Sequence, residues 1–100
     1  MPGLINRDIV IQELIKHKPE FERLYGVTRL GLFGSLARNE AKEDSDIDVV
    51  VEMLEPDLFY MVHIKDALEK SLQRPVDVVR YRKLMNKYLK ERIEREALYV

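Results

Sequence analysis

The sequence of 100 residues contains no cysteine, which excludes a disulfide framework and a thiolate metal site. It also has no apolar stretch near the roughly 20 residues that a membrane-spanning helix needs. Asp8 places an acidic charge too early for a secretory signal. We therefore expect one small domain over residues 1–100, with a core of modest depth, located in the cytoplasm and away from membranes.

Two common binding motifs are also missing. There is no G-x-x-x-x-G-K-[ST] sequence, so an ordinary P-loop is excluded. The acidic run over residues 44–55 lacks the central glycine and the spaced oxygen ligands of an EF-hand. His17 and His63 have no partner at metal-ligand spacing, and we interpret both as surface histidines. Any catalytic or binding site must therefore use other residues.

The net charge is only −1, but it is unevenly distributed. Between Glu40 and Asp57 there are eight acidic residues against one basic residue, and between Arg80 and Arg95 there are seven basic residues against two acidic ones. A cation-binding centre beside a basic helix suits a metal-bound polyphosphate. Because the pI is only about 6.1, we interpret the basic helix as a solvated surface rather than a nucleic-acid interface.

Helix and strand patterns alternate along the chain. Asn6 and apolar i, i+4 pairs predict a first helix from about Arg7 to Lys18, after which Pro19 ends it or begins a short turn of helix, and Gly26 marks the exit. This order predicts an α/β domain in which helices pack on a three-stranded sheet. From this order of helices and strands alone, the sheet could be parallel. The other predicted elements are strands over 27–33, 47–52 and 76–79, and helices over 36–38, 57–72 and 84–98. Asp57 is expected to cap the helix over 57–72, whose apolar pattern places Leu58 and Val62 inward.

Two carboxylates open the second predicted strand. The segment Ser45-Asp46-Ile47-Asp48 leads directly into the apolar run 49–51. An ionised aspartate at the mouth of a buried strand is costly to desolvate unless something compensates its charge. Because side chains at i and i+2 of an extended segment point to one face, Asp46 and Asp48 together favour a divalent cation.

A third carboxylate lies in the last predicted strand. Asp77 is the only polar residue between Pro75 and Val79, and the period of two puts its side chain on the face opposite Val76 and Val78. An isolated aspartate near a strand end often bonds only to backbone amides. Here two apolar strands each carry a charge, and both desolvation costs are explained if the carboxylates converge on one ion site.

The chemical motif begins with Gly34-Ser35, directly after the first predicted strand. Together with Asp-x-Asp at the next strand, this resembles the nucleotidyltransferase superfamily that includes DNA polymerase beta. The addition of Ala-Arg after the Gly-Ser, and of a serine before the first aspartate, resembles the minimal nucleotidyltransferases (MNT or MntA-like proteins) of prokaryotes. At the position after Arg38, many members have glycine and this chain has Asn39. Because asparagine tolerates a left-handed backbone, we expect the turn after Gly34-Ser35 to keep its shape. The matching positions are Gly34, Ser35, Ala37, Arg38, Ser45, Asp46 and Asp48.

The resemblance implies an α+β nucleotidyltransferase fold, with a three-stranded mixed sheet flanked by about four helices. It also implies that Asp46 and Asp48 hold a Mg²⁺ ion that carries the triphosphate of ATP. With Asp77 they would hold a second Mg²⁺ ion that activates the acceptor hydroxyl, and Asp77 would help to accept the proton. Two such ions stabilise both the attacking and the leaving oxygen.

Four further residues are candidates for nucleotide binding. Gly34 lets the backbone approach phosphate without a Cβ, and Ser35 offers its amide and hydroxyl at a helix N-terminus. Arg38 pairs either with a phosphate or with an acidic residue that holds the turn, and the sequence does not separate these roles. Ser45 is expected to cap or orient the loop that presents Asp46.

The acceptor is expected to come from a second protein, because the chain ends soon after its last predicted strand. Members of the minimal family are commonly paired with a helical HEPN toxin that has ribonuclease activity. The resemblance therefore implies an antitoxin in a hetero-oligomer, which silences the toxin by transferring AMP from ATP to a tyrosine hydroxyl. Two alternatives stay open, namely a nucleotidyltransferase for a small molecule such as an aminoglycoside, and a non-catalytic module that acts by occlusion.

The C-terminal residues allow two interpretations. The chain ends with Ala97-Leu98-Tyr99-Val100, and apolar residues at a terminus fray unless they are docked. They would dock on a partner protein or pack back on the sheet of this chain, and the sequence does not distinguish the two.

Overall fold

The computed structural model describes residues 5–40 and 46–100. Ser45, which was predicted to orient the acidic loop, lies outside the described residues. No helix in the described ranges is long and apolar enough to cross a membrane. The elements in chain order are α1 (Arg7–Tyr25), β1 (Val27–Phe33), β2 (Ile47–Met53), α2 (Leu58–Leu72), β3 (Val76–Arg80), α3 (Lys87–Glu96) and β4 (Leu98–Tyr99).

The sheet is mixed, as the resemblance implied, and its strand order is β3-β2-β1-β4. Strand β2 runs parallel to β3 and antiparallel to β1, and β4 runs antiparallel to β1. The described residues thus form four strands and three helices, whereas three strands and about four helices were expected. The α+β architecture with a mixed sheet is confirmed, with one strand more and one helix fewer.

The additional strand comes from the C-terminus. Helix α3 ends at Glu96, and Leu98 and Tyr99 pair with Leu32 and Gly31 of β1 instead of extending the helix. The backbone N–H of Val100 then donates to the carbonyl of Leu30 at 2.9 Å. The terminal residues therefore pack on the sheet of their own chain, which was one of the two interpretations left open.

Helix α1 is longer than predicted, because it continues through Pro19 to Tyr25. A proline removes one helical hydrogen bond, but Pro19 is exposed, and the buried side chains of Leu14 and Phe21 lie on either side of it. Packing of this apolar stripe outweighs the missing bond. Gly26 ends the helix with φ of 66°, so the predicted exit is confirmed.

Helix α2 begins at the predicted cap, since Asp57 Oδ1 accepts a hydrogen bond from the Phe59 amide at 2.7 Å. Its buried stripe has a spacing of four residues, at Ile64, Leu68 and Leu72. Leu58 and Val62, which the apolar pattern places inward, lie off this stripe and are 83% and 55% exposed.

The two faces of the sheet carry two separate cores. Helices α1 and α2 cover the larger core, which includes Val49 and Val51 of β2. The neighbouring Val50 points to the other face, where it packs with Phe33 and with Ile93 of α3. This alternation places α3 on the same face as Asp48 and Asp77.

Candidate active site

Strand pairing brings three predicted site residues together. Asp48 of β2 lies opposite Asp77 of β3 in the parallel register and opposite Phe33 of β1 in the antiparallel register. Gly34 follows Phe33 directly in the chain. The C-terminal end of β1 therefore lies beside the N-terminal ends of β2 and β3. At this end of the strands, Gly34, Asp48 and Asp77 are neighbours.

Gly34 is a position that only glycine fits. Its φ is 82°, in the left-handed region that side chains with a Cβ rarely adopt. A Cβ built on Gly34 would also collide with Oδ2 of Asp48 and would lie 3.1 Å from its Cγ. The glycine of the motif and its second aspartate are thus in direct contact, although they are 14 positions apart in the sequence.

Asp48 has an unfavourable environment for a negative charge. Burial raises the pKa of its carboxyl above the ordinary value of 3.8, and the charge of Asp77 raises the pKa further. The positive charge of Arg92 acts in the opposite direction but does not reverse the shift. The folded protein therefore favours either a proton or a cation at Asp48.

Asp46 and Asp77 are more accessible than Asp48. Asp46 is exposed in the residue that precedes β2, and Asp77 is exposed within β3. Among the described residues, no three acidic or histidine side chains lie close enough to form a complete metal site. Mg²⁺ at phosphate-binding centres needs only one or two carboxylates, since phosphate oxygens and water supply the other ligands. This donor set fits a magnesium ion that arrives with a nucleotide.

The Gly-Ser segment forms a series of turns, not the short helix that was predicted over residues 36–38. The amide of Arg38 donates to the Gly34 carbonyl at 3.1 Å, and the amide of Glu40 donates to the Ser35 carbonyl at 2.8 Å. Leu36 is buried and anchors the turns in the larger core. Asn39 has φ of 61°, which confirms that it adopts the left-handed conformation.

Arg38 pairs with acidic residues. Its Nε donates to Glu40 at 3.2 Å, and its Nη1 lies 2.8 Å from Oε1 of Glu96. Of the two roles that the sequence left open, the structure displays the one in which Arg38 holds the turn.

Glu96 was not predicted from the sequence. Its side chain is only 7% exposed, and its Oε1 also accepts a hydrogen bond from the Gly34 amide at 3.2 Å. Arg92 and Arg95 approach the same carboxylate at 3.9 Å and 3.6 Å. Directly after the basic segment, Glu96 resembles an ordinary surface charge in the sequence. The available signal was its position three residues after the core residue Ile93, on the side of the helix that faces the sheet.

Arg92 was also missed as an individual residue. Its guanidinium carbon lies 5.7 Å from the centroid of the Phe33 ring, and its charge lowers the pKa of Asp48. Arg92 and Glu96 are four residues apart and so lie on one side of α3. Helix α3 thereby contributes both a positive and a negative group to the site.

The sequence profile described as "Nucleotidyltransferase domain" matches residues 14–100, and the chain belongs to this family. Protein adenylyltransferase MntA of Thermococcus cleftensis is 40% identical over 88 residues, which cover 87% of this chain and 88% of the relative. A solved structure of a predicted minimal nucleotidyltransferase matches with a TM-score of 0.80 and 34% identity, over 97% of this chain and 98% of that one. The resemblance to the minimal nucleotidyltransferases is confirmed.

A structure of a tri-AMPylated HEPN toxin from Shewanella oneidensis in complex with its MNT antitoxin is also similar. The TM-score is 0.68 and the identity 19%, over 93% of this chain and 70% of the matched chain. At this identity the match shows that the fold is shared.

Proposed function

We propose that this nucleotidyltransferase is an antitoxin that transfers AMP from ATP to a tyrosine hydroxyl of a HEPN-type toxin. The observation that carries the proposal is the contact between the Gly34 backbone and the Asp48 carboxylate, with Asp77 paired beside it. A backbone that is open to phosphate and a pair of carboxylates are the two parts that nucleotidyl transfer requires. The relationship to a protein adenylyltransferase favours a protein acceptor over a small molecule.

Each site residue has a role in this proposal. Gly34 and Ser35 bind the β- and γ-phosphates, and Asp46, Asp48 and Asp77 hold two Mg²⁺ ions. When bound, such ions stabilise charge on the attacking and leaving oxygens. The tyrosine oxygen forms a bond to the α-phosphorus, the bond from that phosphorus to the pyrophosphate oxygen breaks, and Asp77 accepts the hydroxyl proton.

A partner protein is supported by the apolar surface beside β3. A groove of about 380 Å³ lies there, and β3 contributes both to the groove and, through Asp77, to the site. Partly exposed apolar side chains that cluster in this way are typical of protein interfaces. A toxin seated in this groove would bring its tyrosine to the edge of the sheet that carries the carboxylates. The apolar groove is lined by Leu58, Met61, Val78, Val79, Met85 and Leu89, with Arg80, Arg82 and Asn86 at its polar positions.

Co-expression with a HEPN-type protein tests the proposal. The two proteins should co-purify, and incubation with Mg-ATP should add AMP to tyrosine of the toxin, up to the three groups of the tri-AMPylated toxin from Shewanella oneidensis. Asp48→Asn should still bind the toxin but leave it unmodified. A toxin that is bound and neutralised by the wild-type protein, yet unmodified in the mass spectrum, would show that occlusion rather than catalysis is the mechanism.

A further inference from the structure

The carboxylate of Glu96 contacts two groups that would bind a triphosphate. Its Oε1 accepts from the Gly34 amide at 3.2 Å and lies 2.8 Å from Nη1 of Arg38. A backbone amide at a glycine and an arginine are the donors that protein sites commonly offer to phosphate oxygens. A carboxylate oxygen accepts from the same two donors as a phosphate oxygen would, and it carries the same negative charge.

The surroundings of Glu96 keep this carboxylate in place. Its side chain is 7% exposed, and the guanidinium groups of Arg92 and Arg95 approach its two oxygens. Glu96 is also close enough to Asp48 for its charge to raise the pKa of that aspartate. A triphosphate entering the site would therefore meet Glu96 as a competing anion at the Gly34 amide.

We propose that Glu96 acts as an internal anion that occupies the phosphate-binding position and is displaced by the incoming triphosphate. The proposal rests on the phosphate-binding role of Gly34 that is proposed above. Displacement frees Arg38 to pair with the triphosphate, so that Arg38 holds the turn before binding and neutralises phosphate charge after it. Glu96 is in this sense a positioning residue, because it acts through Gly34 and Arg38.

Substitution of Glu96 separates this role from a purely structural one. Glu96→Gln keeps an oxygen that can accept from the Gly34 amide but removes the competing charge. We expect the dissociation constant for Mg-ATP, measured by calorimetry, to fall by about two- to fivefold, the range for a partly exposed ion pair. If Glu96 only supported the turn, the same change would loosen Gly34 and Arg38 and would weaken binding.

The matched control is Glu91→Gln, which removes the same charge from an exposed position of α3. It should leave the affinity for Mg-ATP within about 1.5-fold of wild type, because surface charges at a distance are screened. An equal gain from both substitutions would overturn the proposal, since it would then reflect net charge alone.

A second measurement uses the unmodified protein, so it does not depend on the stability of a variant. In a proton–nitrogen correlation spectrum, the Gly34 amide and the Arg38 Nε signals should shift together as Mg-ATP is added. Inorganic tripolyphosphate without divalent cations should shift the same two signals, because displacement requires only the phosphate chain. A Gly34 signal that stays in place while ATP binds would overturn the proposal.

The two proposals fail in distinguishable ways. If neither the wild-type protein nor Glu96→Gln binds Mg-ATP, the nucleotidyl-transfer function is wrong and the displacement of Glu96 is wrong with it. If the wild-type protein binds Mg-ATP and modifies the toxin, but Glu96→Gln binds equally or more weakly, only the displacement is wrong.

Discussion

Gly34 and Asp48 show how the motif acts as one unit at the scale of single residues. The positive φ of Gly34 and the closeness of Asp48 Oδ2 both exclude a side chain at residue 34. A larger residue there would be strained and would also displace the Asp48 carboxylate from its position. A substitution such as Gly34→Val therefore tests the position of Asp48 as much as the room available for phosphate.

Asp48→Asn should stabilise the protein while it abolishes the proposed activity. The folded-state pKa of Asp48 is raised above the ordinary value of 3.8, so ionising Asp48 costs stability as the pH rises through that raised pKa. Asparagine removes this cost. We expect thermal melts at pH 7 to shift upward by a few degrees, while adenylyl transfer falls at least about hundredfold.

The pH dependence and a control make this prediction specific. The gain in melting temperature should disappear in acid, below the ordinary aspartate pKa, where the carboxyl of the wild-type protein is protonated in both the folded and the unfolded state. Asp66→Asn, an exposed change on α2, should leave the melting temperature within about 1 °C at every pH. A lower melting temperature for Asp48→Asn at pH 7 would contradict the prediction, because the ionised Asp48 carboxylate would then not destabilise the folded state.

At the scale of elements, the sequence predicted the strand bounds and helix caps that depend on residues close together in the chain. Strand β1 has the predicted bounds, and Asp57 and Gly26 cap their helices as expected. The errors occur where distant contacts decide. Helix α1 passes Pro19 because the sheet holds the apolar stripe on both sides of it, and Leu98–Tyr99 leaves the helix because β1 offers an edge for pairing.

The candidate site follows the same division. Gly34, Asp48 and Asp77 were predictable because each carries an unusual residue type into an apolar strand or its end. Glu96 was not, because its role depends on α3 crossing the face of β1 so that a helix terminus reaches the Gly34 amide. One charged residue among many on a basic helix has no local pattern that reveals such a contact.

Gly31 tests the pairing of β4 with β1. A Cβ on Gly31 would lie 2.9 Å from the Leu98 carbonyl oxygen and 2.9 Å from Cδ1 of Tyr99, which is too close for β4 to stay in place. Gly31→Ala should therefore destabilise the full chain by about 1–3 kcal/mol in urea unfolding.

The matched experiment removes β4. In a chain truncated after Ala97, the same substitution meets no Leu98 or Tyr99 and should be neutral, or stabilising by about 0.5–1 kcal/mol as expected for alanine in place of glycine in a strand. Equal losses in the full and the truncated chain would mean that Gly31 is required for another reason.

At the scale of the whole molecule, the larger core and the candidate site lie on opposite faces of the sheet. One face carries α1, α2 and the larger core, and the other carries α3 and the carboxylates. Strand β3 lies at one edge of the described sheet, where Asp77 and the apolar groove are adjacent. A partner that binds at this edge contacts the site without disturbing the larger core.

Leu58→Asp tests whether the apolar groove binds the toxin of the proposed function. Leu58 is 83% exposed and lines the groove, so a charge there should weaken toxin binding at least about tenfold, as for a central interface residue, without loss of fold. ATP affinity should be unchanged, because Leu58 lies outside the proposed nucleotide site.

Ile15→Asp is the control, since Ile15 is 49% exposed on α1 and does not line the groove. Titration of each purified variant with labelled toxin measures toxin binding, and calorimetry with Mg-ATP measures nucleotide affinity. Toxin binding that is lost with Ile15→Asp but kept with Leu58→Asp would place the interface on α1 instead.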